Sequence, residues 1–241
     1  MRIEIRNRFS HEITLSGEAE TLKQLLKAHL NSDLDLRGVD LAGANLAGMD
    51  LHKIDLSRSN LAGANLTRSN LSHAVLSRSN LTKSILIGAN LTRAVLNGAN
   101  LTGADLTMAR MAEASIAGAD LYWANLTCAD LTKANLSEAN LARSTLVNAI
   151  LVEADLFWAD LGAANLTMAD LTKASLTVAS LAKACLTGAN LTGAILAGSD
   201  LRSADLSEAI LTGADMVEAN LNAANLAFAN VEGVDLSVAK R

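Results

Sequence analysis

Ala99-Asn100-Leu101-Thr102-Gly103 runs directly into Ala104-Asp105-Leu106-Thr107-Met108, and both stretches obey one rule. A small residue, an Asn or Asp and a leucine are followed by two variable positions. Working outward, an aliphatic residue occupies every fifth position from Leu36 to Leu236 without a slip. Of these 41 positions 37 are Leu, the exceptions being Met111, Ile116, Met216 and Val231, so the phase is fixed along almost the whole chain. Two residues before each sits Ala in 30 cases and Ser in six, and the residue between is Asn or Asp in 29. A period of five suits neither regular element. On a helix each step of five turns about 140°, which scatters the leucines around the circumference. On a flat strand an odd period sends successive leucines to opposite faces. Ala and Leu within a unit are two apart and share a face. The unit therefore reads as a strand of about three residues and a bend, winding into a coil whose inward faces are buried only by stacking. The fold class is an all-β solenoid, a parallel β-helix.

Charge decides how many units make a turn. Stacked coils bring residues one turn apart to about 4.8 Å, where like charges repel. Three units per turn stack Lys53, Arg68 and Lys83, and five stack Lys53 on Arg78 and Arg68 on Arg93. Four give a column Lys53, His73, Arg93, Glu113, Lys133, Glu153, Lys173 in which neighbours from Arg93 onward alternate in sign. Four sides and about ten coils follow, a rod of roughly 48 Å. The repeats resemble the pentapeptide-repeat family over about residues 34–238. The resemblance implies a right-handed four-sided β-helix in which Asn and Asp side chains stack along the coil and bond neighbouring backbone.

Residues 1–33 do not repeat and are read as a separate N-terminal element ahead of the β-helix at 34–241. Ile3 and Ile5, then Ile13 and Leu15, alternate with polar residues around a turn at Asn7 to Ser10, which predicts a β-hairpin. Ser16 or Gly17 is the expected cap of an α-helix with Glu18 and Glu20 in its first turn and Leu22, Leu25, Leu26 and Leu30 as its apolar stripe. This helix, leading into Leu34, is placed to cover the first coil. At the other end the repeats run to Leu236 and the chain closes on Lys240-Arg241. An uncovered coil there, with Phe228 outward, predicts a homodimer through the C-terminal coils.

Catalytic, cofactor and metal sites are not expected. The histidines are His11, His29, His52 and His73, and only the last two share a corner of the rod, too few for a structural zinc. Cys128 and Cys185 lie nearly three coils apart and suit a reducing compartment. Fourteen of fifteen aspartates, all but Asp33, obey the repeat grammar, so pairs of them do not signal acid–base chemistry. Glycines such as Gly43, Gly63, Gly103, Gly193 and Gly213 occupy bends and cradle no phosphate. No apolar run reaches the 18–20 or so residues of a membrane span, and the first thirty residues are too charged for a secretory signal, which predicts a cytoplasmic protein.

The surface carries what is left. Residues 36–100 are net +4 and residues 101–236 net −10, so the rod is polar along its axis. The basic segment is Lys53, Arg58, Arg68, Arg78, Lys83 and Arg93, and the overall acidity argues against a nucleic-acid partner. Only six residues are aromatic, and four of them, Tyr122, Trp123, Phe157 and Trp158, fall at bends flanking one face. They are the candidate partner surface, with Arg143 above Trp123 as a local cation–π companion. The expected function is a non-catalytic, rigid scaffold of bacterial type presenting side-chain ladders to a protein partner. The alternative comes from the resemblance, since some members of that family protect or inhibit DNA gyrase, a type II topoisomerase, by mimicking duplex DNA. Against it stands the charge: a DNA mimic over the acidic portion requires on the order of 19 negative charges, and the net is −10.

Overall fold

Every unit of the repeat closes with the same turn. In the computed structural model, which describes residues 1–29 and 35–240, the amide of Ala44 donates to the carbonyl of Leu41 and that of Ala64 to Leu61, each at 3.0 Å, and so on along the chain. The second variable residue of each turn is left-handed, from Gly38 (φ 67°) to Gly233 (φ 72°). Glycine fills 13 of these positions, but 27 are filled by other residues, so glycine is a convenience here and not a requirement. Each of the others carries about 1–2 kcal/mol of strain. It is held because the same amide is tied to the next coil, as in Lys53 to Ser72 (3.0 Å) and Arg93 to Ala112 (3.0 Å).

From Asp40 to Ile210 parallel bridges join each Asn/Asp position to the one twenty residues on, for example Asn60 to Asn80, Asn80 to Asn100 and Asn100 to Asp120. Four five-residue units therefore make one coil, as the charge column required. Leu61, Leu66, Leu71 and Leu76, one from each wall of a single coil, are all 0 % exposed, so the four walls share one apolar interior. The Asn and Asp side chains point out and act twice. Their Oδ1 accepts the amide two residues on (Thr67 to Asn65, 3.0 Å), closing an Asx turn. Many Asn side chains that follow Asp or Asn in a column also donate Nδ2 across coils, as from Asn60 to Asp40 at 2.9 Å and from Asn140 to Asp120 at 2.9 Å.

Strand β1 (Arg2–Arg6) pairs antiparallel with β2 (Ile13–Glu18), placing Ile5 opposite Leu15. The hairpin then joins the first coil: Asn7 bridges Val39, the Arg8 amide donates to Gly38, and the Asp40 amide donates to Arg6. Helix α1 covers Leu22–His29 and buries Leu25 and Leu26. Its cap corrects the sequence reading. Ser16, Gly17 and Glu18 belong to β2, so they cannot start a helix, and no acidic residue lies in its first turn. The cap is Thr21, whose Oγ1 accepts from the Gln24 amide (3.2 Å) while Gln24 Oε1 accepts from the Thr21 amide (3.2 Å), a reciprocal capping box. Leu30, Asp33, Leu34 and Arg241, with the expected boundary at 33/34, lie outside the described residues. At the far end the turn rhythm gives way to a short 3-10 turn, Leu236–Val238, capped by Asp235. Leu226, Val231, Val234 and Leu236 are only partly buried, unlike the leucines of the inner coils.

Candidate interaction surface

Among the described residues no group of three or more His, Cys, Asp or Glu is placed to hold a metal ion, and no helix is long and apolar enough to cross a membrane. The side chains singled out from sequence are corner residues of the coil. Trp123 and Trp158 stand on neighbouring corners, 67 % and 65 % exposed, and Phe157 is 43 % exposed. Tyr122 is half-buried and leans on Trp123 with ring centroids 6.0 Å apart. The wall between these corners is the ladder Asp120, Asn140, Asp160, Ser180. Above the Tyr122–Trp123 corner stand Ala142-Arg143 and then Gly162-Ala163.

Both aromatic pairs are fixed by the ladder. The amide of Trp123 donates to Ala142 (3.2 Å) and that of Trp158 to Thr177 (3.1 Å). Asx turns from Asp120 and Asp155 hold the Tyr122 and Phe157 amides, each at 3.0 Å. Arg143 sits one coil above Trp123 at the same corner. The expected cation–π pair is not formed: the one such contact among the described residues is Arg8 over Phe9, 4.9 Å from the ring centroid.

The charge column behaves as its spacing demanded. Arg93 Nε lies 2.9 Å from Glu113 and Lys133 Nζ 3.5 Å from Glu153, one coil apart in each case. The side-chain hydrogen bond from Arg93 lowers the Glu113 carboxyl below its usual range and raises the guanidinium in return. The basic segment is not gathered on one face. Lys53 and Arg93 share a corner, Arg58 and Arg78 the next, while Lys83 and Arg68 each take a further one. Phe228, 91 % exposed, projects from the last corner before the partly buried C-terminal residues.

The remaining groups are local. His52 and His73 meet edge to face, ring centroids 5.4 Å apart. Cys128 is exposed and free, and so is the half-buried Cys185 thiol. Burial pushes the Cys185 thiol up, but hydrogen bonds with Thr167 (3.3 Å) and Thr187 (3.4 Å) outweigh it and leave it lowered. Sequence reasoning missed the hairpin-to-coil junction, where Arg8 Nη1 donates to the carbonyls of Arg58 (3.2 Å) and Ser59 (3.3 Å). The lone signal was a cluster of arginines, Arg2, Arg6 and Arg8, on a predicted hairpin.

Units of five turning through four walls, with corner side chains outward and no enclosed reactive centre described, define a β-solenoid of the pentapeptide type. The chain belongs to the pentapeptide-repeat family: eight copies of the family model match between residues 35 and 237. Members of that family fold as right-handed β-helices. Among solved structures it is similar to HetL, a pentapeptide repeat protein involved in heterocyst differentiation regulation from the cyanobacterium Nostoc sp. strain PCC 7120. The two are 35 % identical, with 90 % of this chain and 97 % of HetL covered and a TM-score of 0.57. It also resembles QnrB1, a plasmid-mediated fluoroquinolone resistance protein, at 21 % identity, 75 % and 88 % coverage and a TM-score of 0.61. At that identity the likeness shows the fold alone. Comparison with curated protein sequences gave no significant match.

Proposed function

We propose that this protein is a non-catalytic scaffold of about ten coils, capped by its N-terminal hairpin and helix, that offers corner side chains to a protein partner. The observation that carries the proposal is the exposure of Trp123 and Trp158, the chain's only tryptophans, on neighbouring corners of a stiff ladder. Large aromatics held outward on an immobile backbone bind at little entropic cost, which is how interface anchors work. Likeness to HetL over nearly the whole of both chains supports a regulatory, interaction-based role in place of chemistry. We place the protein in the cytoplasm, with residues 1–33 as the cap and 34–241 as the rod. The partly buried leucines of the last coil and Phe228 support a homodimer through the C-terminal coils. The experiment is affinity capture with the Trp123→Ala/Trp158→Ala protein against the wild type, folding being checked by circular dichroism. Loss of the captured partner is expected, and retention of every partner overturns the reading.

The topoisomerase alternative draws on the acidity of residues 101–236. Glu113 is paired with Arg93 from outside this portion, which offsets one more of its negative charges and weakens the mimicry. A gyrase supercoiling assay, with and without quinolone, separates the two: the scaffold reading expects no effect at micromolar protein.

A further inference from the structure

The aromatic surface is not electrically uniform, and one corner of it has a definite chemistry. From Gly98 to Glu218 the corner that bears Trp158 carries no cation: its turn pairs are Asn97-Gly98, Ala117-Gly118, Ser137-Glu138, Phe157-Trp158, Thr177-Val178, Ala197-Gly198 and Val217-Glu218. Glu138 lies directly beneath Trp158, its amide bonded to the Phe157 carbonyl at 2.8 Å. Asp155 and Asp160 stand on the walls to either side, and all three carboxylates are exposed. No ion pair engages Glu138, Asp155 or Asp160 among the described residues, although neighbouring corners carry Lys133, Arg143, Lys173 and Lys183. Lys133 is already committed to Glu153. Asp155 and Asp160 each use one oxygen on the amide two residues on (Phe157, 3.0 Å; Gly162, 2.8 Å), so an exposed indole flanked by carboxylates without a counter-ion on a rigid frame has one natural complement. A planar guanidinium stacks on the ring face and forks onto a carboxylate, whereas an ammonium does only the second as a point charge.

We propose that the Trp158–Glu138 corner is a docking site for an arginine-bearing segment of a protein partner. The inference rests on the scaffold reading and gives its partner surface a chemistry. Phe157 and the Val178 corner above supply apolar contact for the aliphatic stem of that arginine, as snorkelling side chains use it. The other indole, Trp123, offers a second platform across the Asp120–Asn140–Asp160 wall, so two arginines on one extended segment can be engaged together.

The test uses the full-length protein and a synthetic peptide alternating arginine with glycine, titrated at low salt and followed by tryptophan fluorescence and calorimetry. Because the chain has only two tryptophans, the fluorescence signal comes from this surface alone. Saturable binding is expected, weakened about five-fold by Trp158→Leu and by Glu138→Gln and weakened likewise when lysine replaces arginine. Absence of saturable binding, or equal binding of the Glu138→Gln protein, overturns the proposal. If the peptide fails while Trp123→Ala/Trp158→Ala still abolishes partner capture, the guanidinium chemistry falls and the partner surface stands. If capture survives that double substitution, the surface itself falls. Sedimentation of the protein alone resolves the remaining occupant: concentration-dependent association abolished by Trp158→Leu and by Glu138→Gln makes the second copy the ligand and overturns the assignment to another protein.

Discussion

Six serines take the place of alanine inside the solenoid, and they make a matched set for measuring a buried hydroxyl. Ser69, Ser79 and Ser144 turn their hydroxyls back onto the carbonyls of Leu66 (2.8 Å), Leu76 (2.6 Å) and Leu141 (2.6 Å), and Ser59 reaches Leu36 at 3.0 Å. Ser84 and Ser199 are equally buried, at 1 % and 0 % exposure, yet their hydroxyls have no partner. A bonded hydroxyl contributes about 0.5–1.5 kcal/mol net, while an unpartnered one costs about 1–3 kcal/mol in desolvation. Alanine is the residue the site is shaped for, so the substitution opens only a small void. Ser84→Ala and Ser199→Ala are expected to stabilise by about 1–2 kcal/mol each, and Ser69→Ala to destabilise by up to about 1 kcal/mol. The two sites are almost six coils apart, roughly 28 Å, so the double variant should be additive. For a chain of this size that corresponds to a rise of about 2–4 °C in Tm per kcal/mol, against a small fall for Ser69→Ala. Thermal melts by circular dichroism, with amide exchange of the two flanking coils, read the difference locally. Equal loss at Ser69 and Ser84 would refute the reasoning, since it would mean that the Ser84 hydroxyl uses the Leu81 carbonyl as its counterparts use theirs.

Val178 is a β-branched residue at φ 58°, so Val178→Gly should relieve more strain than the added chain entropy costs, a gain of about 0.5–1 kcal/mol in urea denaturation. Gly43 has nothing within 4 Å of a built Cβ, so Gly43→Val isolates the backbone term and should cost about 1–2 kcal/mol. Asp205 is held below the usual carboxylate range by hydrogen bonds from the Ser207 side chain and backbone, with Asn225 and Thr187 adding to them. A depressed folded value stabilises above the unfolded one, near 4, and that contribution is lost as pH falls through the folded value. Asp205→Asn keeps the Asx acceptor but cannot ionise, so it should lower Tm at neutral pH and flatten the acid limb, the two proteins converging as pH falls from about 5 to 2 or so. Thr21→Ala removes the capping box of α1 and should cost about 1 kcal/mol, measured as faster amide exchange in Leu22–His29.

How much was legible in the sequence follows from what repeats. The unit, its inward face and its four-fold coil are each restated dozens of times, so Leu61, Leu66, Leu71 and Leu76 fall inward as the pattern required. The Arg93–Glu113 and Lys133–Glu153 pairs were readable because a ladder converts a spacing of twenty into proximity. The non-repeating start had one instance of each signal. There the sequence reading started the helix at Ser16-Gly17, whereas the strand runs on to Glu18 to pair with Arg2 and the Thr21–Gln24 capping box sets the helix start. The Trp123–Arg143 contact failed for a different reason. Spacing brings two corner residues one coil apart, and opposite full charges then draw their ends together as in Arg93–Glu113, whereas a neutral indole exerts a weaker pull on a guanidinium and the rotamers decide.

That distinction bears on function. In this fold the residues that define the structure and the residues that can define a partner are different positions of the same unit. Alanine, Asn or Asp, and leucine are committed to the interior, the turn and the ladder. The two variable positions are largely free of structural duty, since even Trp, Val and Glu are accepted at the left-handed one. Selection on partner binding can therefore rewrite a corner without disturbing the rod. It follows that corner substitutions such as Glu138→Gln should leave the melting temperature nearly unchanged while altering binding, whereas Leu136→Ala, one wall position away and 0 % exposed, should cost about 2–5 kcal/mol. Should Glu138→Gln shift stability as strongly as Leu136→Ala, corner and core would not be separable, and an exposed Trp158 would lose its meaning as a partner anchor.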